Sequence, residues 1–228
     1  MRRLINAGLV AGLLGMSQLS GCASSGGASN QAVEQVSTPT PLMLASVKGD
    51  LEKVQTLIAD GSPVNAVSPE GTALSLAVAK AHHGVAMALL RVGARPDIGP
   101  PGQPSALMLA ASNGDHKLVH VLLAAGAAVN RTDSNGDNAV AYAARAGNLA
   151  VVRELLNDGG NVNVTRQGES LLMQVVQNND LLMAQVLIAA GADVNYVAPD
   201  GRTALAIARD HHNRDLEMLL VQAGAQSS

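Results

Sequence analysis

A glycine returns along this chain at a nearly constant interval, and that interval constrains the fold more than any other feature. The segments Asp60-Gly61-Ser-Pro-Val-Asn65, Val92-Gly93-Ala-Arg-Pro-Asp97, Ala125-Gly126-Ala-Ala-Val-Asn130, Asp158-Gly159-Gly-Asn-Val-Asn163 and Ala190-Gly191-Ala-Asp-Val-Asn195 align, and Ala223-Gly224-Ala225 begins a sixth. Successive glycines stand 32, 33, 33, 32 and 33 residues apart. A period of this length marks a stack of small supersecondary units that share one continuous core.

Each glycine segment has an upstream counterpart: Thr40-Pro-Leu-Met-Leu-Ala45, Thr72-Ala-Leu-Ser-Leu-Ala77, Ser105-Ala-Leu-Met-Leu-Ala110, Asn138-Ala-Val-Ala-Tyr-Ala143, Ser170-Leu-Leu-Met-Gln-Val175 and Thr203-Ala-Leu-Ala-Ile-Ala208. A Thr, Ser or Asn opening an apolar run predicts an N-capped helix, because its side chain accepts from a free backbone N–H of the first turn. A Gly or polar turn follows, such as Gly49-Asp50, Gly114-Asp115 or Gly147-Asn148, and then a second helix with a stripe such as Val151, Val152, Leu155 and Leu156. Gly61, Gly126, Gly159 and Gly191 end these second helices where a left-handed backbone costs little. One helix pair cannot cover its own apolar faces, so stability is expected to come from stacking.

These residues carry the pattern of the ankyrin repeat, and residues 37–228 resemble six tandem copies at about 37–67, 68–99, 100–132, 133–165, 166–198 and 199–228. The expected fold is an all-α repeat solenoid of helix-turn-helix units joined by β-hairpin loops. Only Thr40-Pro41 keeps the family's Thr-Pro, and Met43, Ser75, Met108, Ala141, Met173 and Ala206 replace its His. Pro39 and Pro41 open the first repeat, and Arg214, Asp215 and Glu217 make the last helix polar, as capping units require. Gln174 and Asn179-Asp180 mark the fifth repeat as the expected soft unit.

The start of the chain reads as an address. Two arginines precede an apolar stretch from Leu4 to Met16, followed by Leu19-Ser20-Gly21-Cys22. That tetrapeptide resembles the lipobox of bacterial lipoproteins. The resemblance implies removal of residues 1–21, a diacylglyceryl thioether on Cys22, and an N-acyl chain such as palmitate. Cys22 is the sole cysteine, so no intramolecular disulfide can form. Ala23 after it, rather than Asp, implies an outer-membrane anchor facing the periplasm. Residues 22–36 read as the lipidated end and a flexible Ser/Gly-rich tether, about 20 Å in root-mean-square span.

Composition removes other classes. The net charge is −3 and aromatics are 1% of residues, without the basic excess and stacking rings of a nucleic-acid binder. There is no Gly-x-Ser-x-Gly elbow and no phosphate loop, and Asp133, Asp137, Asp158 and Asp200 read as isolated turn formers. The chain therefore reads as a non-enzyme, with no cofactor and no small-molecule substrate. Met43, Met108 and Met173 share one repeat position, which reads as packing. His116 and His120, four apart on one helix face, leave a metal-binding or enzymatic envelope protein as the alternative; a cytoplasmic module is the reading if the signal is unused. His82-His83 and His211-His212 read as turn residues.

The family's variable positions imply a concave protein-binding face. They place partner contacts at Lys48, Lys80, Asn113, Arg145, Asn178 and His211 near the ends of the first helices, and at Arg166 and Arg202 on the hairpin tips. Arg145, Arg166 and Arg202 are the expected anchors. Two roles fit such a tethered module: a scaffold that holds an envelope enzyme near the membrane, or an immunity protein against an envelope-targeting toxin.

Overall fold

The computed structural model describes residues 33–226; residues 1–21 and Cys22 lie outside the described residues. Six helix pairs follow one another: α1 (Pro41–Lys48) and α2 (Leu51–Ala59), α3 (Ala73–Ala79) and α4 (His83–Arg91), α5 (Ala106–Ser112) and α6 (His116–Ala124), α7 (Ala139–Arg145) and α8 (Leu149–Asn157), α9 (Leu171–Gln177) and α10 (Leu181–Ala189), α11 (Ala204–Asp210) and α12 (Arg214–Gln222). First helices pack on first helices and second on second, so the expected solenoid is present.

Local chemistry starts each first helix. Thr40, Thr72, Ser105, Asn138, Ser170 and Thr203 each accept the backbone N–H of the third helical residue at 3.0–3.3 Å. The residues that replace the family His complete some of these caps: Met43 Sδ and Met108 Sδ accept the cap residue's own N–H at 3.4 and 3.3 Å, and Ser75 Oγ does so at 2.9 Å. Met43, Met108 and Met173 are buried, and the packing reading holds.

The second helices divide their opening residues between two jobs. Asp50, Asp115, Asp180 and Asn213 cap their own helices. His82 and Asn148 make no side-chain cap bond. Instead a His82 ring nitrogen lies 3.0 Å from Val47 O, and Asn148 Nδ2 donates to Ala111 O and Ser112 O at 2.9 Å. These two positions exchange a local bond for one that ties adjacent repeats together. His82 and His83 thus open α4 rather than sit in the preceding turn.

An amide ladder joins the hairpin bases. Asn65, Asn130, Asn163 and Asn195 donate to Gly93, Gly159, Gly191 and Gly224 carbonyls, and their Oδ1 atoms accept from Arg95, Asn161, Asp193 and Gln226 N–H groups. Asp97 occupies the equivalent place in the second repeat; its carboxylate accepts from Ala128 N–H but has no proton to give. Between first helices the core is made of small residues, with Ala77, Ala110, Ala143 and Ala208 fully buried at one repeated position.

Three expectations change in detail. Among the described residues only one loop forms a hairpin with two-residue strands, β1 (Thr165–Arg166) with β2 (Glu169–Ser170), while the first loop keeps a single antiparallel bridge, Ser68 with Gly71; Pro100, Pro101 and Pro104 leave the second loop short of N–H donors. The folded unit also begins before residue 37, because Val67 N–H donates to Glu34 O at 2.7 Å and Val36 N–H to Val67 O at 2.9 Å. In the fifth repeat, Gln174 is not a packing defect: its Nε2 donates to Glu169 O and its Oε1 accepts from Arg145.

Candidate functional site

The repeat register brings the eight expected contact residues onto one face, along the ends of the first helices and the loops above them. Asn113, Asn178 and His211 are the C-cap residues of α5, α9 and α11, Lys80 that of α3, and Lys48 and Arg145 close α1 and α7. Arg166 lies in β1, and Arg202 in the loop between α10 and α11.

They are not equally free. Arg145 grips Asp137 through both guanidinium ends, at 2.6 and 2.7 Å. Asp137 is only 1% exposed, and Arg166 approaches its Oδ2, which already accepts from Arg145 Nη2, at 3.4 Å. Arg145 also lies over the Tyr142 ring, 5.2 Å from its centroid. Tyr142 donates its hydroxyl to Asp133 at 2.9 Å, and Asp133 accepts the N–H groups of Asn135 and Asp137 at 2.8 and 3.0 Å. Burial by itself would raise the Asp133 carboxyl, but these hydrogen bonds outweigh it and hold it below the usual range. Burial, then the hydrogen bond to Asp133, pushes the Tyr142 hydroxyl up to about 12.

Asp133 and Asp137 are therefore not isolated turn formers. They converge because the third loop folds back over the start of α7 while Arg145 stands at that helix's end. As a result Arg145 and Arg166 serve the fold before they can serve a partner. Arg202 is likewise engaged, with Glu169 and Asp200 both at 2.6 Å. Its hydrogen bond to Asp200 holds that carboxyl low. Asn113 donates to Val78 O at 3.2 Å. Lys48, Lys80, Asn178 and His211 make no side-chain hydrogen bond or ion pair among the described residues.

A cleft of about 220 Å³ opens on the same face, lined by Leu76, Ala79 and Leu109 on the helix side and Pro100, Gln103 and Pro104 on the loop side. Ala79 and Glu70, two of the family's variable positions, line it, and so does Leu109, which the sequence places with Leu44 on the apolar packing face and not in a groove. The signal was available: Leu44, Leu76 and Leu109 occupy one repeat position.

His116 and His120 lie on α6, away from these loops, and both face Glu154 of the next repeat, at 2.9 and 3.8 Å. His83 pairs in the same way with Asp115 at 2.6 Å. Among the described residues no three His, Cys, Asp or Glu side chains are arranged to hold a metal ion, and the His116–Glu154 contact links repeats. No helix among the described residues is long and apolar enough to cross a membrane.

Comparison with known proteins agrees with this architecture. A model of three ankyrin repeats matches residues 107–198, and a model of the single ankyrin repeat matches residues 40–69. An ankyrin repeat domain from Acinetobacter baumannii AYE superposes with a TM-score of 0.75 at 29% identity, covering 82% of this chain and 98% of that one. The ankyrin repeat domain of Bcl-3, a member of the IkappaB protein family, superposes with a TM-score of 0.74 at 28% identity, covering 85% of this chain and 90% of its own. No curated protein sequence matches. Residues 70–106 fall between the two matched segments, yet they fold into the same helix pair, α3 capped by Thr72 and followed by α4, and place Asp97 where other repeats carry the ladder asparagine. Six stacked helix pairs, their capped starts and the asparagine ladder place this chain in the ankyrin-repeat family.

Proposed function

We propose that this ankyrin-repeat chain is a non-enzymatic adaptor held at the periplasmic side of a bacterial envelope membrane by a lipid on Cys22, binding a protein partner through the face formed by its first-helix ends and loops. Ankyrin repeats form a generic protein-interaction module, and the groove carries the reading for this chain. On one continuous face it combines half-buried leucines, a cleft and the cations of Lys48 and Lys80, which have no ion-pair partner among the described residues. The lipobox-like Leu19-Ser20-Gly21-Cys22 supports the anchor. A scaffold for an envelope enzyme and an immunity protein both remain forms of this reading.

The test replaces Gln103, which lines the cleft, with a photo-crosslinking side chain in intact cells; Gln55 on α2, exposed and remote from the cleft, is the control. One dominant envelope partner captured from position 103 and absent from position 55 supports the reading and separates the two roles by its identity. The same diffuse set from both positions overturns it. For the anchor, a Cys22→Ala chain is expected to leave the membrane fraction, and its retention there would sink the lipid assignment.

A further inference from the structure

We propose that the N-terminal half of the groove receives one amphipathic α-helix of the partner, with carboxylates along a single flank at seven-residue spacing. This rests on the groove being the interaction face.

Leu44, Leu76 and Leu109 are the fourth residues of α1, α3 and α5, so stacking sets them in a row. Leu44 is 52% exposed. The row ends as an apolar strip at the fourth repeat, where Tyr142 is committed to Asp133 and, one repeat further, Gln174 to Glu169 and Arg145. Apolar recognition is thus confined to the first three repeats.

The loop wall decides the backbone form of the occupant. Pro100 and Pro104 line the cleft, and with Pro101 they carry no N–H. The Ser134 N–H from the next loop is already spent on Gly102 O. An extended strand laid in this half would find no row of donors to pair with, whereas a helix satisfies its own backbone and needs only side-chain complementarity.

Spacing agrees. Packed helices stand about 8–10 Å apart, so the leucine row advances by about 10 Å per repeat, and seven residues of an α-helix rise about 10.5 Å. A helix lying along the groove therefore meets Leu44, Leu76 and Leu109 with side chains at i, i+7 and i+14. Lys48 and Lys80 occupy one repeat position at the helix-end side of the row and have no ion-pair partner among the described residues. They call for carboxylates one heptad apart on that flank. Glu70 lines the cleft on the loop side and repels acid there, which fixes which flank is acidic.

The experiment uses the full chain and a fluorescent helical peptide of about five turns. The peptide carries leucines at i, i+3, i+7, i+10 and i+14 and two glutamates one heptad apart on the flank. Its partners in the panel carry lysines in place of the glutamates, or a central Pro-Pro that breaks the helix. The expected result is saturable binding of the glutamate helix, weakened about tenfold by Lys48→Glu with Lys80→Glu and by the lysine exchange, each about 1.4 kcal/mol. The lysine helix should regain affinity for the charge-reversed chain, and Leu44→Gln should weaken both. Equal affinity for the glutamate and lysine helices, equal affinity for the broken peptide, or no binding at all overturns the inference. Failure here alongside a specific partner captured from position 103 removes the helix assignment and leaves the interaction face; failure of both removes the adaptor reading.

Discussion

Asp137 and Arg145 form a bidentate ion pair, 2.6 and 2.7 Å long, whose carboxylate is 1% exposed and whose guanidinium still reaches the surface of the groove. An exposed arginine would contribute partner affinity at little structural cost. This one neutralises a charge that water cannot reach. Removing one member of a buried pair typically costs about 3–5 kcal/mol, since the other is left uncompensated. Arg166, at 3.4 Å, recovers part of that. Arg145→Ala is therefore expected to destabilise the domain by about 2–4 kcal/mol in urea unfolding, and Lys80→Glu on the same face by no more than about 0.5 kcal/mol. Equal effects would mean that the Asp137 pair does not stabilise the fold.

Tyr142 provides a pH signature from the same cluster. Its hydroxyl is raised to about 12, so the folded state holds this proton more tightly than the unfolded chain does. Its contribution is fully present below the ordinary tyrosine value near 10 and is lost as pH rises from there through about 12. The chain has two tyrosines and no tryptophan, so phenolate absorbance can follow each ring. A phenolate step pushed up to about 12 is expected, and it should be missing in Tyr142→Phe. Stability above pH 10 should fall more steeply in the wild type than in that variant. Asp133 acts with the opposite sign: its lowered carboxyl adds stability that is present above the ordinary aspartate value and lost as pH falls below it.

What could be read from residues alone follows how local each cause is. Thr40, Ser105 and Asn138 announce their helices because a cap and the N–H it accepts lie three residues apart, and the glycine period announces the stack. The leucine row was legible in the same way, by register. Asp137 with Arg145 was not, because the pairing depends on how a loop closes over a helix. Nor was His116 with Glu154, 38 residues apart, nor the pairing of Val36 with Val67, where an irregular segment takes an edge that a preceding repeat would otherwise cover. Candidate contacts chosen by repeat position fall at the first-helix ends and loops, but repeat position could not show which of them the fold had already engaged.

The turn between paired helices offers a direct comparison of backbone strain. Gly49, Gly114 and Gly147 hold left-handed φ values of 69–74° there, and Ala81 holds the same place at 55°. A left-handed alanine costs roughly 1–2 kcal/mol. Ala81→Gly is expected to raise stability by about 0.5–1 kcal/mol after the added unfolded-state entropy of glycine is subtracted. Gly114→Ala should cost more than the reverse change gains, because its new Cβ would lie 2.7 Å from Asn148 Oδ1 and disturb the bonds of Asn148 to Ala111 and Ser112. Thermal unfolding of both variants checks the order, and a stabilised Gly114→Ala would show that Asn148 yields without loss.

Asp97 interrupts the amide ladder. Asn65, Asn130, Asn163 and Asn195 each donate to the glycine carbonyl of the next repeat and accept a backbone N–H from it, whereas Asp97 can only accept, from Ala128 at 3.1–3.2 Å. By repeat register the carbonyl that an amide here would meet is that of Gly126, to which a carboxylate can donate nothing. Asp97→Asn supplies the missing donor without changing shape, and one hydrogen bond of this kind contributes about 0.5–1.5 kcal/mol. Because a solenoid's stability is set by nearest-neighbour interfaces, the gain should appear as slower amide exchange in α4 and α6, on either side of that junction, with little change in α10 and α12. A gain spread evenly over all six repeats would instead mean that the domain unfolds as one cooperative unit, and no gain would mean that Ala128 already draws from the carboxylate what the ladder draws from an amide.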